Sequence, residues 1–345
     1  MKPLATETWD DEERQAILDV VQSGRFTMGE RTAQFEKAYA AYCGTKYCIA
    51  VNSGSSANLL MVAAYTLRYG KGTVIVPAVG WSTSYSPFQQ YGWKLVFVDI
   101  DRDTLNYDLP RLWYATEQYE ADAILAINLL GNPNDFNAFP RKVHILEDNC
   151  ESMGAEYDNR KTGSFGVMAT HSTFFSHHIC TMEGGMVTTN DETFYHMLLA
   201  LRAHGWTRNL PEKNKLNART DNPFHFVLPG YNVRPTEMQC AIGLKQLKKL
   251  PRLIAGRREN ATRFPAKTQK EIGKSSWFGF AVFGDERRWF KDYESRPIVT
   301  GNFLRQPVLK YYDYAVFGDT PNADYVDDHG MMIGNSGDPI QWVID

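Results

Sequence analysis

Short apolar runs recur along the first part of the chain: YCIAV from Tyr47, TVIVPAV from Thr73, KLVFVDI from Lys94, AILAINLL from Ala123 and VHILEDN from Val143. They are apolar at consecutive positions, which suits strands buried on both faces, as in a mostly parallel sheet covered by helices. Helix-length spacers separate them. Over residues 30–42, Ala33, Phe35, Ala38, Tyr39 and Tyr42 recur at helical spacing and lead into the first strand. That strand runs into Ser53-Gly54-Ser55-Ser56-Ala57-Asn58, and from Leu59 the stretch LLMVAAYTL predicts a helix. After HSTFF and GGMVTT the pattern turns helical over 192–203, crosses a polar stretch at 209–223 and is helical again over 235–250. Beyond it, WFGFAVFGD, RPIVTGNFL and HGMMIGN predict strands of a smaller unit. The whole predicts an α/β protein: a three-layer α/β/α large domain over 1–250 and a smaller α+β C-terminal domain over 251–345, changing over in the helix at 247–257.

Composition narrows the function classes. With 345 residues, 43% hydrophobic and 22% charged, the chain can bury two real cores. The 37 Lys and Arg nearly balance 40 Asp and Glu, so no overall field would hold nucleic acid or an anionic membrane. A bound phosphate must be met locally. No segment approaches the roughly 20 apolar residues that span a bilayer, and the start lacks a basic stretch followed by an apolar run, so the cytoplasm is the expected compartment. Cys43, Cys48, Cys150, Cys180 and Cys240 are scattered without a CxxC pair, so they are expected to be reduced, with no metal or iron–sulfur centre.

Three segments bear chemistry. The Ser53–Asn58 turn between strand and helix offers backbone N–H groups, hydroxyls and a helix dipole to a phosphate, though it reads equally as a tight turn with a serine cap. Glu147-Asp148-Asn149-Cys150-Glu151 ends an apolar strand, where open parallel sheets place ligands; a carboxylate there can keep a pyridine nitrogen protonated, or merely cap a helix. The third, Ser172-Thr173-Phe174-Phe175-Ser176-His177-His178 leading to Glu183-Gly184-Gly185, resembles the active-site segment of the fold-type I sugar aminotransferase and dehydratase family. There Ser-Phe-x-x-x-Lys is followed six residues past the lysine by Glu-Gly-Gly; counting back six from Glu183 reaches His177.

The resemblance extends in family order through Thr27-Met28-Gly29, residues 51–57, 77–83, Gly131-Asn132-Pro133, 147–154, 230–235 and Gly301-Asn302. It implies a fold-type I pyridoxal-phosphate (PLP) enzyme in which Gly54, Ser55, Ser56 and Ser172 hold the phosphate and Trp81 stacks on the ring. Asp148 would pair with the ring nitrogen, and Glu151, at the family's usual glutamine, would meet the ring hydroxyl. Asn232 would reach across a homodimer interface to the neighbour's phosphate. His204 and Arg208 lie where glutamate or sugar is expected, although a helix-end His and Arg also suit the helix dipole alone.

A histidine cannot tether PLP but can act as a base, and a pKa near neutrality would serve it as both base and acid. The family's lysine-lacking branch, the 3-dehydratases of GDP-linked 4-keto-6-deoxymannose, carries histidine here. The resemblance therefore implies removal of the C3 hydroxyl from a nucleotide-linked 4-keto-6-deoxy sugar, GDP-linked in preference. PLP and pyridoxamine phosphate (PMP) would be bound without a covalent link and glutamate would be the amino donor. His178 is read as a neighbour. Two other readings stand beside this one: a sugar aminotransferase using another lysine such as Lys161, and a non-catalytic binder of a nucleotide sugar. Nucleotide recognition is expected in 303–312 and 209–226, and the small domain is expected to be shortened after 329–335.

Overall fold

The computed structural model describes residues 2–218, 222 and 224–343. Strands β1 (Tyr47–Val51), β2 (Thr73–Pro77), β3 (Lys94–Val98), β4 (Ala123–Ile127) and β5 (His144–Asp148) fall where the apolar runs placed them. A short hairpin, β6 (Glu156–Tyr157) and β7 (Arg160–Lys161), precedes β8 (Met168–Ser172) and β9 (Gly185–Thr189). The C-terminal part adds β10 (Gly279–Phe283), β11 (Ser295–Arg296), β12 (Tyr314–Val316) and β13 (Gly330–Gly334). The helices are α1 (Asp11–Ser23), α2 (Glu30–Cys43), α3 (Gly54–Tyr69), α4 (Ser82–Gln90), α5 (Leu109–Gln118), α6 (Glu192–Arg202), α7 (Glu237–Thr262) and α8 (Pro321–His329). Among the described residues no helix is long and apolar enough to cross a membrane.

Eight strands form one sheet in the order β1-β9-β8-β5-β4-β2-β3-β12. Only β9 runs against the other seven. The unbroken apolar runs follow from burial on both faces. Val74, Val76, Leu95, Phe97 and Leu125 pack with Leu60, Met61 and Ala64 of α3. Their alternates Ile75, Val96, Val98, Ile124 and Ala126 pack with Leu112 and Ala115 of α5 on the opposite side.

Two local expectations are corrected. The helix read from Leu59 already starts at Gly54, because the Ser53 side chain accepts the Ser56 N–H and caps it. RPIVTGNFL, read as a strand, continues the short strand begun at Ser295 only through Arg296, and makes one further bridge, from Asn302 to Val79. Pro297 has no N–H to continue the ladder, Val299 and Gly301 have φ of 52° and 67°, and Asn302 caps a short 3₁₀ turn, Phe303–Arg305. Part of the C-terminal segment joins the large sheet: β12 lies parallel to β3 at its edge. Close by, Asp99 accepts the N–H groups of Asn322 and Ala323 at the start of α8. The remaining strands form a three-stranded antiparallel sheet, β10-β13-β11. The 26-residue α7, begun by a Thr236/Gln239 capping box, links the two regions.

Candidate active site

A cavity of about 440 Å³ opens where β4, β5 and β8 end, and their last residues Ile127, Asp148 and Ser172 line it. This is the carboxyl edge, where parallel sheets leave room between strand ends and the following loops. Gly54 and Ser55 bring the first turn of α3 into the wall. Their N–H groups have no helical acceptor, and the helix dipole favours an anion there. A Cβ at Gly54 would lie 2.7 Å from Ser172 Cβ and 3.2 Å from Cys150 Sγ, so backbone and Ser172 stand side by side with nothing between them. Ser56 does not line the cavity; its N–H is bound by Ser53 Oγ at 3.1 Å.

Strand alternation separates the two carboxylates of the Glu147-Asp148 pair. Glu147 turns inward and accepts the N–H groups of Gly163, Phe165 and Gly166 at 2.7, 2.6 and 2.6 Å. Asp148 faces the cavity. Across from it, Trp81 precedes α4 with its indole half exposed. Glu151 accepts the Leu130 N–H at 3.1 Å, and its other oxygen lies 3.7 Å from the Arg296 guanidinium. Burial raises the Glu151 carboxyl, the Arg296 charge and the Leu130 N–H pull against it, and Asp148 adds to the rise.

His177 sits in the loop between β8 and β9, its own N–H turned to Phe174 O at 2.9 Å. Its ring lies against Phe278, 5.1 Å between centroids, and lines the cavity. Nδ1 is closed off from solvent without a partner, which leaves Nε2 as the nitrogen open to the cavity. Burial, and then the charges of Arg296 and Arg257, push its pKa down to about 3. The ring is therefore held neutral rather than near half-protonation, a correction to the expected near-neutral value. His178 points into the core, with Nε2 3.3 Å from Ser276 O.

The other expected residues lie elsewhere. Asn232 is exposed and accepts Arg234 Nε at 3.0 Å; its backbone bridges to Ala203, beside His204. The His204 ring lies tilted against Trp206, 4.7 Å between centroids, and the Arg208 guanidinium lies 4.6 Å from the same indole. These three share a surface patch and do not line the cavity. In the stretches expected to recognise a nucleotide, Phe303 is a core residue against Tyr85, and Arg219, Thr220, Asp221 and Pro223 lie outside the described residues. Lys161 lies on β7, its Nζ 5.0 Å from the Tyr42 ring centroid, and among the described residues no lysine lines the cavity.

Sequence reasoning missed Ser84 and Arg296, and quoted Asn58, Thr83, Ser176 and Glu183 within motifs without giving them a role of their own; all six line the cavity. Arg296 carried a signal, a lone cation heading an apolar run. The small polar residues on helices carried none.

Residues 7–278 match the DegT/DnrJ/EryC1/StrS aminotransferase family. The chain belongs to this family. It is 50% identical over 368 residues to GDP-4-keto-6-deoxy-D-mannose 3-dehydratase of Yersinia pseudotuberculosis, covering 96% of this chain and 93% of that protein. It is 32% identical over 374 residues to dTDP-4-dehydro-2,6-dideoxy-D-glucose 3-dehydratase of Saccharopolyspora spinosa, covering 94% and 80%. A crystal structure of GDP-4-keto-6-deoxymannose-3-dehydratase with a trapped PLP-glutamate geminal diamine superposes with a TM-score of 0.93 at 50% identity, covering 99% of this chain and 97% of that one. The fold is thus the fold-type I, PLP-aminotransferase-like α/β fold, shared also with the Helicobacter pylori aminotransferase PseC at a TM-score of 0.81 and 21% identity.

Proposed function

We propose that this chain is a PLP- and PMP-dependent 3-dehydratase of a GDP-linked 4-keto-6-deoxy sugar, with glutamate as amino donor and His177 as proton carrier. The observation that carries the reading is an imidazole, with no lysine nearby, in a cavity otherwise furnished for a phosphorylated pyridine. The 50% identity to a named GDP-sugar 3-dehydratase supports the reaction and the nucleotide.

The residues present fit the cofactor. Gly54 and Ser55 N–H groups and the Ser172 hydroxyl would hold the phosphate, with Ser56 keeping the turn in shape through Ser53. Trp81 would cover one face of the ring, Asp148 would hold the ring nitrogen protonated, and Glu151 would meet the ring hydroxyl. When bound, the cofactor supplies a primary amine and an electron-poor ring that draws electrons from the sugar. His177 Nε2 takes up a proton and passes it to the leaving C3 hydroxyl. Burial and two arginines keep the ring neutral and so free to accept a proton, while making it a weaker base that gives a captured proton up readily. Arg296, which lines the cavity, would receive a carboxylate of glutamate through the terminal nitrogens of its guanidinium.

A homodimer with shared sites is part of the proposal. Asn232, His204 and Arg208 lie together outside the chain's own cavity, as residues serving a neighbouring subunit would. The unpaired thiols, Cys150 and Cys180 among them, suit a cytoplasmic location.

The test mixes protein, PLP and glutamate with GDP- and CDP-linked 4-keto-6-deoxyhexoses and follows product mass and ammonia. Loss of the C3 oxygen with ammonia release, faster from the GDP sugar, is expected. Nitrogen retained on the sugar would make the chain an aminotransferase and overturn the reading.

A further inference from the structure

Asp148 is only 5% exposed, and three donors reach its carboxylate. Asn58 Nδ2 and Ser84 Oγ both donate to Oδ2, at 3.0 and 2.6 Å, while Oδ1 accepts the Cys150 N–H at 3.1 Å. The Asn58 amide is itself fixed: the Thr170 hydroxyl donates to its Oδ1 at 2.6 Å, which turns Nδ2 toward the aspartate. Asn58, Ser84 and Thr170 come from α3, α4 and β8 and are 3%, 3% and 0% exposed. Burying three polar side chains is unfavourable unless each is bonded, and here two bonds converge on one carboxylate oxygen while the third fixes the amide that makes one of them. Oδ1 accepts one backbone N–H and keeps capacity for a donor from the cavity, with the Cys150 thiol the other group within reach of the carboxylate.

We infer that Asn58 and Ser84 are positioning residues: they saturate Asp148 Oδ2 and so present Oδ1 to the protonated ring nitrogen of the cofactor, setting the preference for a ring that carries that nitrogen. The inference rests on the placement of Asp148 proposed above. Neither residue touches the cofactor; both act through the carboxylate. If they merely filled space, their loss would weaken any cofactor of the same shape.

The test titrates the full-length protein and its variants with PMP and with the 1-deaza analogue, in which carbon replaces the ring nitrogen. Wild type is expected to prefer PMP. Ser84→Ala and Asn58→Ala are each expected to reduce that preference about tenfold, the effect of losing one charge-assisted hydrogen bond, by weakening PMP while leaving the analogue unchanged. Ser84→Thr, which keeps the hydroxyl, is expected to restore it, and Asp148→Asn to abolish it. Equal weakening of both ligands in Ser84→Ala and Asn58→Ala overturns the inference, since that is what a packing role gives. So does a wild-type preference that Asp148→Asn removes and these two variants leave intact, with the placement of Asp148 surviving. No preference in wild type overturns the placement of Asp148 and the inference together.

Discussion

Gly54 and His177 are the positions where a single atom or group decides what the cavity can do. A methyl at Gly54 would meet Ser172 Cβ at 2.7 Å, and Ser172 ends a strand buried along its whole length. Gly54→Ala is expected to lower PMP affinity about tenfold by displacing the hydroxyl, on the scale of about 1–3 kcal/mol that overpacking brings. A titration of bound cofactor checks this; unchanged affinity would remove Gly54 and Ser172 from the phosphate site. His177→Lys puts a primary amine where the imidazole lies. The variant is expected to fix PLP covalently on borohydride reduction, whereas wild type leaves the protein mass unchanged. A wild-type protein that is itself labelled would contradict the non-covalent cofactor.

At the scale of elements, α7 holds the small sheet to the site through one buried cation. Arg257 donates to the carbonyls of Phe278 and Asn335 at 3.0 and 2.7 Å, and Phe278 is the ring that backs His177. Arg257→Met leaves those acceptors buried without that donor and is expected to destabilise the protein by about 3 kcal/mol or more, read from the urea midpoint. It also removes one of the two charges that keep His177 neutral, so the acid limb of turnover is expected to move toward higher pH. An unmoved limb would show that Arg257 serves stability alone. This link was not legible in the sequence, whereas most of the sheet was. Strands buried on both faces write unbroken apolar runs, and β1 to β5 fell where those runs lay. Short edge strands write almost nothing: Tyr314–Val316 has three residues, and its place beside β3 depends on tertiary packing. RPIVTGNFL carried the composition of a strand, but Pro297 and the positive φ at Val299 and Gly301 ended it after Arg296. In the site, Asp148 was legible as the end of an apolar strand, and His177 through its register in the segment that resembles the family's active-site motif. Ser84 was not, nor was the bond of Asn58 to Asp148, because polar residues on amphipathic helices are ordinarily solvated and only the assembled fold turns these two inward.

Across the whole molecule, buried imidazoles tie stability to pH. Burial pushes His171 and His177 each down to about 3, and His178 well below its ordinary value. In the unfolded chain these rings protonate near pH 6.5. Below that pH the unfolded state gains protons that the folded state refuses, so stability falls as pH falls, by up to about 1.4 kcal/mol per pH unit for each ring. The buried carboxyls of Glu147 and Glu151, raised by burial, act with the opposite sign and return stability as pH drops through the carboxylate range. The net descent is therefore expected to be steepest between about pH 6.5 and pH 5. His171 isolates one contribution, because Tyr39, Asn149 and Thr188 surround its ring at 3.0, 3.1 and 3.1 Å with no formal charge among them. His171→Asn lowers stability at every pH, but its urea midpoint is expected to fall less steeply with acid than that of wild type, by about one ring's share. Parallel pH profiles for the two proteins would mean that His171 titrates alike in the folded and unfolded states, and the loss of stability in acid would then have to come from other groups.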